Sequence, residues 1–193
     1  GAVMQFSAPM FSHLIVVAGG SGERLGGVDK ALCEVGGRRL VDHALDVPVT
    51  GRRIVVRPSD RAPIVSTPAQ HVEQVAEQPA GGGPAAGLAA AVAALTGGSE
   101  DGAASAADRP GPPVGDIFDT DELVAVLACD AMAPVAPVMA QLGVALRGHP
   151  NAGVAVAAPG GLPQWLTAVW RLGVLIDAVG RFGDPAHAPA RLM

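Results

Sequence analysis

The sequence predicts an α/β protein: a three-layer α/β/α sandwich around a mostly parallel, twisted sheet. Three observations carry this. Short apolar runs alternate with helix-like stretches along the chain, the pattern of βα units. The apolar runs, such as Leu14-Ile-Val-Val17 and Leu123-Val-Ala-Val-Leu-Ala128, are continuous rather than alternating, as in strands covered on both faces. A glycine-dense loop follows the first of them, where ligands sit in open α/β sheets. With 193 residues, 49% of them hydrophobic and 16% charged, the chain is long and apolar enough for one packed domain over 1–193.

Residues 1–12 read as an N-terminal extension. His13–Ala18 is the first strand, and Gly19–Lys30 the loop after it. Arg39–Asp46 reads as a helix stopped near Pro48, and Arg53–Arg57 as a strand ended by Pro58. Positions 59–72 fit no single pattern. Val72–Glu77 is a short strand, and Gln78–Gly83 a Gly/Pro loop. Pro84–Leu95 is a helix, because proline suits the first turn and the alanine run propagates it. Residues 98–120, rich in Gly, Ala, Ser, Asp and Pro, are expected to form a flexible acidic surface insertion. Leu123–Ala128 is a strand leading into Cys129-Asp130, and Ala133–Leu146 a helix. Gly153–Ala158 and Trp165–Trp170 are strands flanking a turn at Pro159–Pro163, and Arg171–Val179 is helical.

The charge excludes some functions. The net charge is −5 and aromatics make up 3%, which argues against a nucleic-acid binder. The acidity is local: Glu100, Asp101, Asp108, Asp116, Asp119, Asp121 and Glu122 lie in one segment, and the remainder is near neutral. A phosphate-bearing ligand is therefore not repelled by the body. Cys33 and Cys129 have neither zinc nor redox-motif spacing, so a reducing cytoplasm is expected. No apolar run reaches membrane-spanning length, so no membrane association is expected.

The loop Ala18-Gly-Gly-Ser-Gly-Glu-Arg-Leu-Gly-Gly-Val-Asp-Lys30 is the chemically informative stretch. Glycines let backbone N–H groups converge on an anion, and Arg24 and Lys30 add cations suited to phosphates. The loop is not a Walker loop, since Val28 follows Gly22 and Gly27 where Lys is required. Nor is it a dinucleotide fingerprint, since Leu25 stands where the third glycine belongs. Twelve arginines accompany a single lysine, Lys30, at the end of this loop. Either it survives by chance, or a compact ammonium is needed there.

Ala18-Gly19-Gly20 followed by Arg24-Leu-Gly-Gly-x-Asp-Lys30 resembles the signature of the molybdenum cofactor guanylyltransferases, which have a Rossmann-like nucleotidyltransferase fold. Glu77 followed by Gly83-Pro-Ala-Ala-Gly87 resembles that family's acid and Gly-Pro-Leu-Ala-Gly motif. Cys129-Asp130-Ala-Met-Ala-Pro134 resembles its Cys-Asp-Met-Pro motif, and Gln164-Trp-Leu, more loosely, its Gln-Pro-Leu. The resemblance spans about residues 13–175. It implies transfer of GMP from GTP to molybdopterin with Mg²⁺, pyrophosphate being released, and partners that hand over or accept the cofactor. By the same resemblance, Val17, Ala18, Gly19, Gly20, Glu77, Gly83 and Gly87 bind nucleotide. Lys30 and Arg24 hold the triphosphate, and Asp130 ligates the metal. Ala-Gly-Gly resembles the guanylyl branch, whereas cytidylyl relatives tend to Ala-Ala-Gly. The family's C-terminal Asn-Thr-Pro-x-Asp-like motif has no counterpart, so the C-terminus is expected to be shortened; a cytidylyltransferase or other nucleotidyltransferase relative, or a non-catalytic GTP-binding module, remains an alternative.

The same residues have plainer readings. Asp130 fits a helix N-cap as well as a metal ligand. Asp29 is expected to cap or orient Lys30 rather than touch ligand. Cys129 suits a buried small hydrophobe. Gly87 suits close packing of its helix on the sheet. Trp165 and Trp170, five apart on a strand, point to opposite faces, one to the core and one to the pterin side. If the acidic segment is only a surface insertion, deleting residues 98–120 leaves the nucleotide-induced thermal shift intact; its loss would show that the segment belongs to the site.

Overall fold

The computed structural model describes residues 9–19, 27–65, 71–77, 80, 82–97, 122–131 and 134–182. Six strands form the central sheet: β1 (His13–Val17), β4 (Arg53–Val56), β5 (Val72–Val75), β6 (Leu123–Ala128), β7 (Val154–Ala157) and β8 (Gln164–Arg171). Their spatial order is β5-β4-β1-β6-β8-β7. The pairs β5–β4, β4–β1 and β1–β6 are parallel, whereas β8 runs antiparallel to both β6 and β7. The mostly parallel sheet is as predicted; the antiparallel member arises because β7 and β8 are joined by the short turn over Pro159–Gly161 rather than by a crossover helix.

Among the described residues, four helices cover the sheet: α1 (Leu40–Leu45), α2 (Gly83–Thr96), α3 (Val135–Arg147) and α4 (Leu172–Phe182). The sheet's two faces are filled by alternate residues of the same strands. Leu14, Val16, Val55, Leu123, Ala125 and Leu127 pack with Val41 and Leu45 of α1 and Met139 and Leu146 of α3. Ile15, Val17, Ile54, Val56, Val124 and Val126 pack with Leu88, Ala91 and Val92 of α2 and Leu175 and Val179 of α4. This two-sided demand is why the strands read as unbroken apolar runs.

The predicted elements recur with ends shifted by a few residues. Asp130 is not the N-cap of α3, a position taken by Pro134, so the capping reading fails. A two-stranded hairpin, β2 (Glu34–Val35) and β3 (Arg38–Arg39), was not foreseen. Its turn, Gly36-Gly37, has φ of +62° and +76°, the left-handed pair that a two-residue hairpin needs. The ambiguous stretch before β5 is irregular over 57–65, with Ile64 buried and both its backbone polar groups bonded to the Gln74 amide. The expected extension (1–8), acidic insertion (98–120) and C-terminal residues 183–193 lie outside the described residues. Among the described residues, no helix is long and apolar enough to cross a membrane.

Gly87 shows why α2 can lie close to the sheet. A Cβ there would stand 2.8 Å from Val56 Cγ1, a short and rigid side chain that cannot swing aside. Gly87→Val is therefore expected to destabilise the protein by about 1–3 kcal/mol through overpacking. Each kcal/mol lowers Tm by roughly 2–4 °C at this size. An unchanged melting curve would show that the α2–β4 contact is looser than described.

Candidate functional site

The strand order places a crevice before any side chain is considered. From β1 the chain moves to β4 and β5 on one side, then returns to β6 on the other. At such a switch point the connections leave the neighbouring strand ends in opposite directions and open a cleft beyond their carboxyl ends. Ala18-Gly19 follow β1 at this edge, and Cys129-Asp130 follow β6. The two exits are held together by Cys129 N–H to Val17 carbonyl at 3.0 Å, and β1 is tied to β4 by Ala18 N–H to Val56 carbonyl at 2.8 Å.

Two adjoining cavities open here. The smaller, about 210 Å³, is lined by Val17, Ala18, Gly19, Asp29, Lys30, Arg61 and Asp130, among others. The larger, about 1040 Å³, has mostly apolar walls, including Gly83, Leu88, Val135, Val138, Trp165 and Trp170. Asp130, Pro84, Ala128 and Leu166 border both. A compact charged pocket thus shares a carboxylate with a broad apolar one.

Lys30 Nζ lies 3.2 Å from Asp130 Oδ2, and both side chains are nearly half exposed. The loop from β1 and the strand end of β6, 100 residues apart in sequence, therefore present one cation and one anion to the same space. Lys30 opens a short 3₁₀ turn, Lys30–Leu32, directly after Asp29. Asp29 makes no capping bond with its side chain. Instead, its carboxylate is gripped by Arg57 from the end of β4, at 2.7 Å and 3.3 Å. That hydrogen-bonded guanidinium holds the Asp29 carboxyl below the usual carboxylate range. Asp29 thus orients the turn carrying Lys30, and it also borders the smaller cavity.

Glu77 sits just beyond β5. Its Oε2 accepts the Gly83 N–H at 3.4 Å, and its Oε1 lies 2.8 Å from where a Cβ on Gly19 would stand. Gly19 leaves room for that carboxylate, and Gly83, with φ of +82°, makes a turn that L-residues rarely adopt. Gly87 packs on Val56 and lines neither cavity. Gly20 and Arg24 lie outside the described residues. Trp170 belongs to the α2/α4 core and Trp165 is partly exposed, yet both border the larger cavity. The expected division into one core and one cleft tryptophan is therefore incomplete.

Two residues escaped the sequence reading. Arg57 is 3% exposed, and Arg61 Nη1 donates to the Gly27 carbonyl at 3.2 Å. The available signal was a basic residue ending an apolar strand, Ile54-Val-Val-Arg57, at the edge where ligands bind.

Among the described residues, no three His, Cys, Asp or Glu side chains cluster as a metal cage. The donor set nevertheless suits Mg²⁺, which takes one or two carboxylates and completes its shell with substrate phosphates and water. Asp130, at the shared border of the two cavities, is a carboxylate placed for that, and Asp29 also borders the smaller cavity.

Comparison with known proteins follows the same lines. The sequence model of the MobA-like NTP transferase domain matches residues 14–184. The molybdenum cofactor guanylyltransferase of Acidiphilium cryptum (strain JF-5) is 56% identical over 39 residues, 19% of this chain and 20% of that protein. The chain thus matches about a fifth of that relative's length. Molybdopterin-guanine dinucleotide biosynthesis protein A from Archaeoglobus fulgidus superposes with a TM-score of 0.52 at 16% identity, over 88% of this chain and 72% of that one. The 2-C-methyl-D-erythritol 4-phosphate cytidylyltransferase from Thermus thermophilus gives 0.50 at 18% identity, over 94% and 82%. At these identities the two structures establish a shared nucleotidyltransferase fold.

Cys129 gives this geometry a chemical test. Burial, reinforced by the neighbouring Asp130 charge, pushes its thiol up to about 11. Only the thiolate reacts readily, and Cys33 is the more exposed of the two. A thiol reagent at pH 8 is expected to modify Cys33 first and Cys129 only on unfolding. Equal rates by mass spectrometry of the folded protein would show that the β6 exit is open.

Proposed function

The chain belongs to the MobA-like NTP transferase domain family, and from that premise we propose that it transfers GMP from GTP to molybdopterin, giving the guanine dinucleotide cofactor and pyrophosphate. The observation that carries this reading is the Lys30–Asp130 pair at the border of a small charged pocket and a large apolar one. Two substrates of unlike character meet at one phosphorus atom in such a transfer. The nucleotide phosphates suit the smaller pocket, with Lys30 and Arg61 as cations. The pterin suits the larger, where Trp165 and Trp170 offer flat apolar walls.

The reaction asks little covalent chemistry of the protein. A phosphate oxygen of molybdopterin attacks the α-phosphorus of GTP, and the bond to the β-phosphate oxygen breaks as pyrophosphate departs. The attacking phosphate is already ionised, so no side chain needs to remove a proton. Catalysis then rests on alignment and charge neutralisation. Lys30 would turn from Asp130 to the triphosphate, and the Asp130 carboxylate would then be the residue that holds Mg²⁺. When bound, Mg²⁺ neutralises charge developing on the phosphate oxygens. The Ala18-Gly19 backbone lines the nucleotide side, and Glu77, an acceptor-only carboxylate, suits the N1–H and amino donors of guanine. The resemblance of Ala18-Gly19-Gly20 to the guanylyl branch supports guanine over cytosine.

A thermal shift with Mg²⁺ and each of GTP, CTP, ATP and UTP tests the nucleotide. At ten times its Kd a ligand stabilises by about 1.4 kcal/mol, roughly 3–6 °C for a chain of this size. GTP alone is expected to give the shift. Lys30→Ala is expected to weaken it about tenfold or more in Kd, as loss of a charged phosphate contact does. Asp130→Ala is expected to abolish turnover in a molybdopterin guanylylation assay. A shift with CTP would move the chain to cytidylyl transfer. GTP binding without turnover would make it a nucleotide-binding module, and unchanged turnover in Asp130→Ala would remove the metal-ligand role.

A further inference from the structure

Arg57 is the buried charged side chain of the described core, and the transfer reaction itself makes no use of it. Its main chain is fixed by the sheet, since its N–H donates to the Val75 carbonyl at 2.9 Å. Its side chain reaches Asp29 with two nitrogens, Nη2 to Oδ2 at 2.7 Å and Nη1 to Oδ1 at 3.3 Å. A two-point fork fixes both the place and the orientation of a carboxylate, which a single contact does not.

Asp29 passes that constraint on. Its carbonyl accepts the Leu32 N–H at 3.1 Å and the Cys33 thiol at 3.6 Å, closing the turn that starts with Lys30. Arg61, four residues beyond Arg57, holds the Gly27 carbonyl just upstream. The chain is therefore gripped on the approach to Lys30 by two arginines of one β4 loop. The tip of Lys30 has no comparable restraint, because its partner Asp130 is a half-exposed single contact of the kind that contributes little. Stability alone is a poor reason for the buried pair. Arg57 Nε is buried without a hydrogen-bond partner, and apolar residues often fill such space as well or better.

We propose that Arg57 is a positioning residue: through Asp29 it fixes the base of Lys30 so that the ammonium reaches into the smaller cavity. Its consequence for catalysis rests on the reading that Lys30 holds the nucleotide triphosphate. The positioning itself does not, and the two can be tested apart.

The chain has one lysine, so reductive methylation with ¹³C-formaldehyde yields one side-chain dimethylamine NMR signal besides that of the N-terminus. That signal would be followed in the methylated protein and its Arg57→Gln, Arg57→Met and Asp29→Asn variants, with circular dichroism and melting to establish folding. The expected result is a shifted and sharpened Lys30 signal in each folded variant. Asp29→Asn should add nothing to Arg57→Gln in the double variant. Titration of the unmethylated proteins with Mg²⁺ and GTP should show about a tenfold rise in Kd. A merely structural pair would lower Tm but leave the Lys30 signal and the Kd of the folded protein unchanged, which overturns the proposal. If Arg57→Gln does not fold, Arg57→Met and Asp29→Asn decide by the same signal. If the unaltered protein binds no GTP, the proposed transfer reaction fails, while the Lys30 signal still decides the positioning.

Discussion

The pairing of β1 with β6 is the constraint on which the rest depends. Five consecutive partners, from His13↔Val124 to Val17↔Ala128, set two distant segments in parallel register. Because the register is shared, both strands end at the same level, and Ala18-Gly19 come to lie beside Cys129-Asp130. The backbone bond from Cys129 to Val17 continues the ladder one step past the strands. Slipping this register by one residue would invert every side chain of β6, exchanging the α1/α3 core for the α2/α4 core. Full burial of both faces forbids that. The cleft is thus fixed by hydrophobic packing, remote from its own polar groups.

Polar groups then divide the work at the cleft edge. Asp29 and Lys30 are adjacent in sequence but have opposite surroundings. Asp29 turns toward a buried guanidinium, and Lys30 toward a half-exposed carboxylate. An ion pair with one member at 3% exposure is screened little by water or salt. An exposed pair is screened strongly and exchanges partners readily. The inner pair is suited to holding and the outer pair to yielding, which on the proposed reading is the combination a nucleotide pocket needs before its ligand arrives.

Much of this was legible in the sequence because it follows from burial and order. Continuous apolar strands announced a two-sided sheet, and the Gly-rich stretch after β1 pointed to the sheet edge at which the two cavities open. Gly87 was readable as a close-packing position, and Val56 supplies the reason. What was not legible depends on tertiary neighbours. The β2–β3 hairpin is two residues per strand, too short for periodicity, and only Gly36-Gly37 marked it. The antiparallel turn of β8 follows from a tight connection, whereas an apolar strand reads the same in either direction. For Asp130 the sequence left a helix cap beside the metal-ligand reading, and only the structure, with Pro134 as the N-cap of α3, removes the cap. Arg57 read only as the last residue of a strand, because its partner lies 28 residues upstream, on the far side of the β2–β3 hairpin and α1.

The distribution of basic residues brings these threads together. Arg38, Arg39, Arg52 and Arg57 each hold a carboxylate with two nitrogens: Asp46, Asp42, Glu73 and Asp29 respectively. These are fixed struts, and the planar fork of arginine is the side chain for fixed struts. Lys30, the single lysine of the chain, meets its carboxylate with one nitrogen across the cleft. Its ammonium has three rotatable donors and no preferred plane, so it can leave Asp130 for a phosphate without breaking a two-point clamp. An arginine at position 30 would tend to lock onto Asp130 as its neighbours lock onto their partners. On the proposed reading, that would hold the metal-binding carboxylate and the phosphate-binding cation together when the reaction requires them apart. Arginine at these four struts and lysine at the cleft thus accord with one physical difference between the two cations.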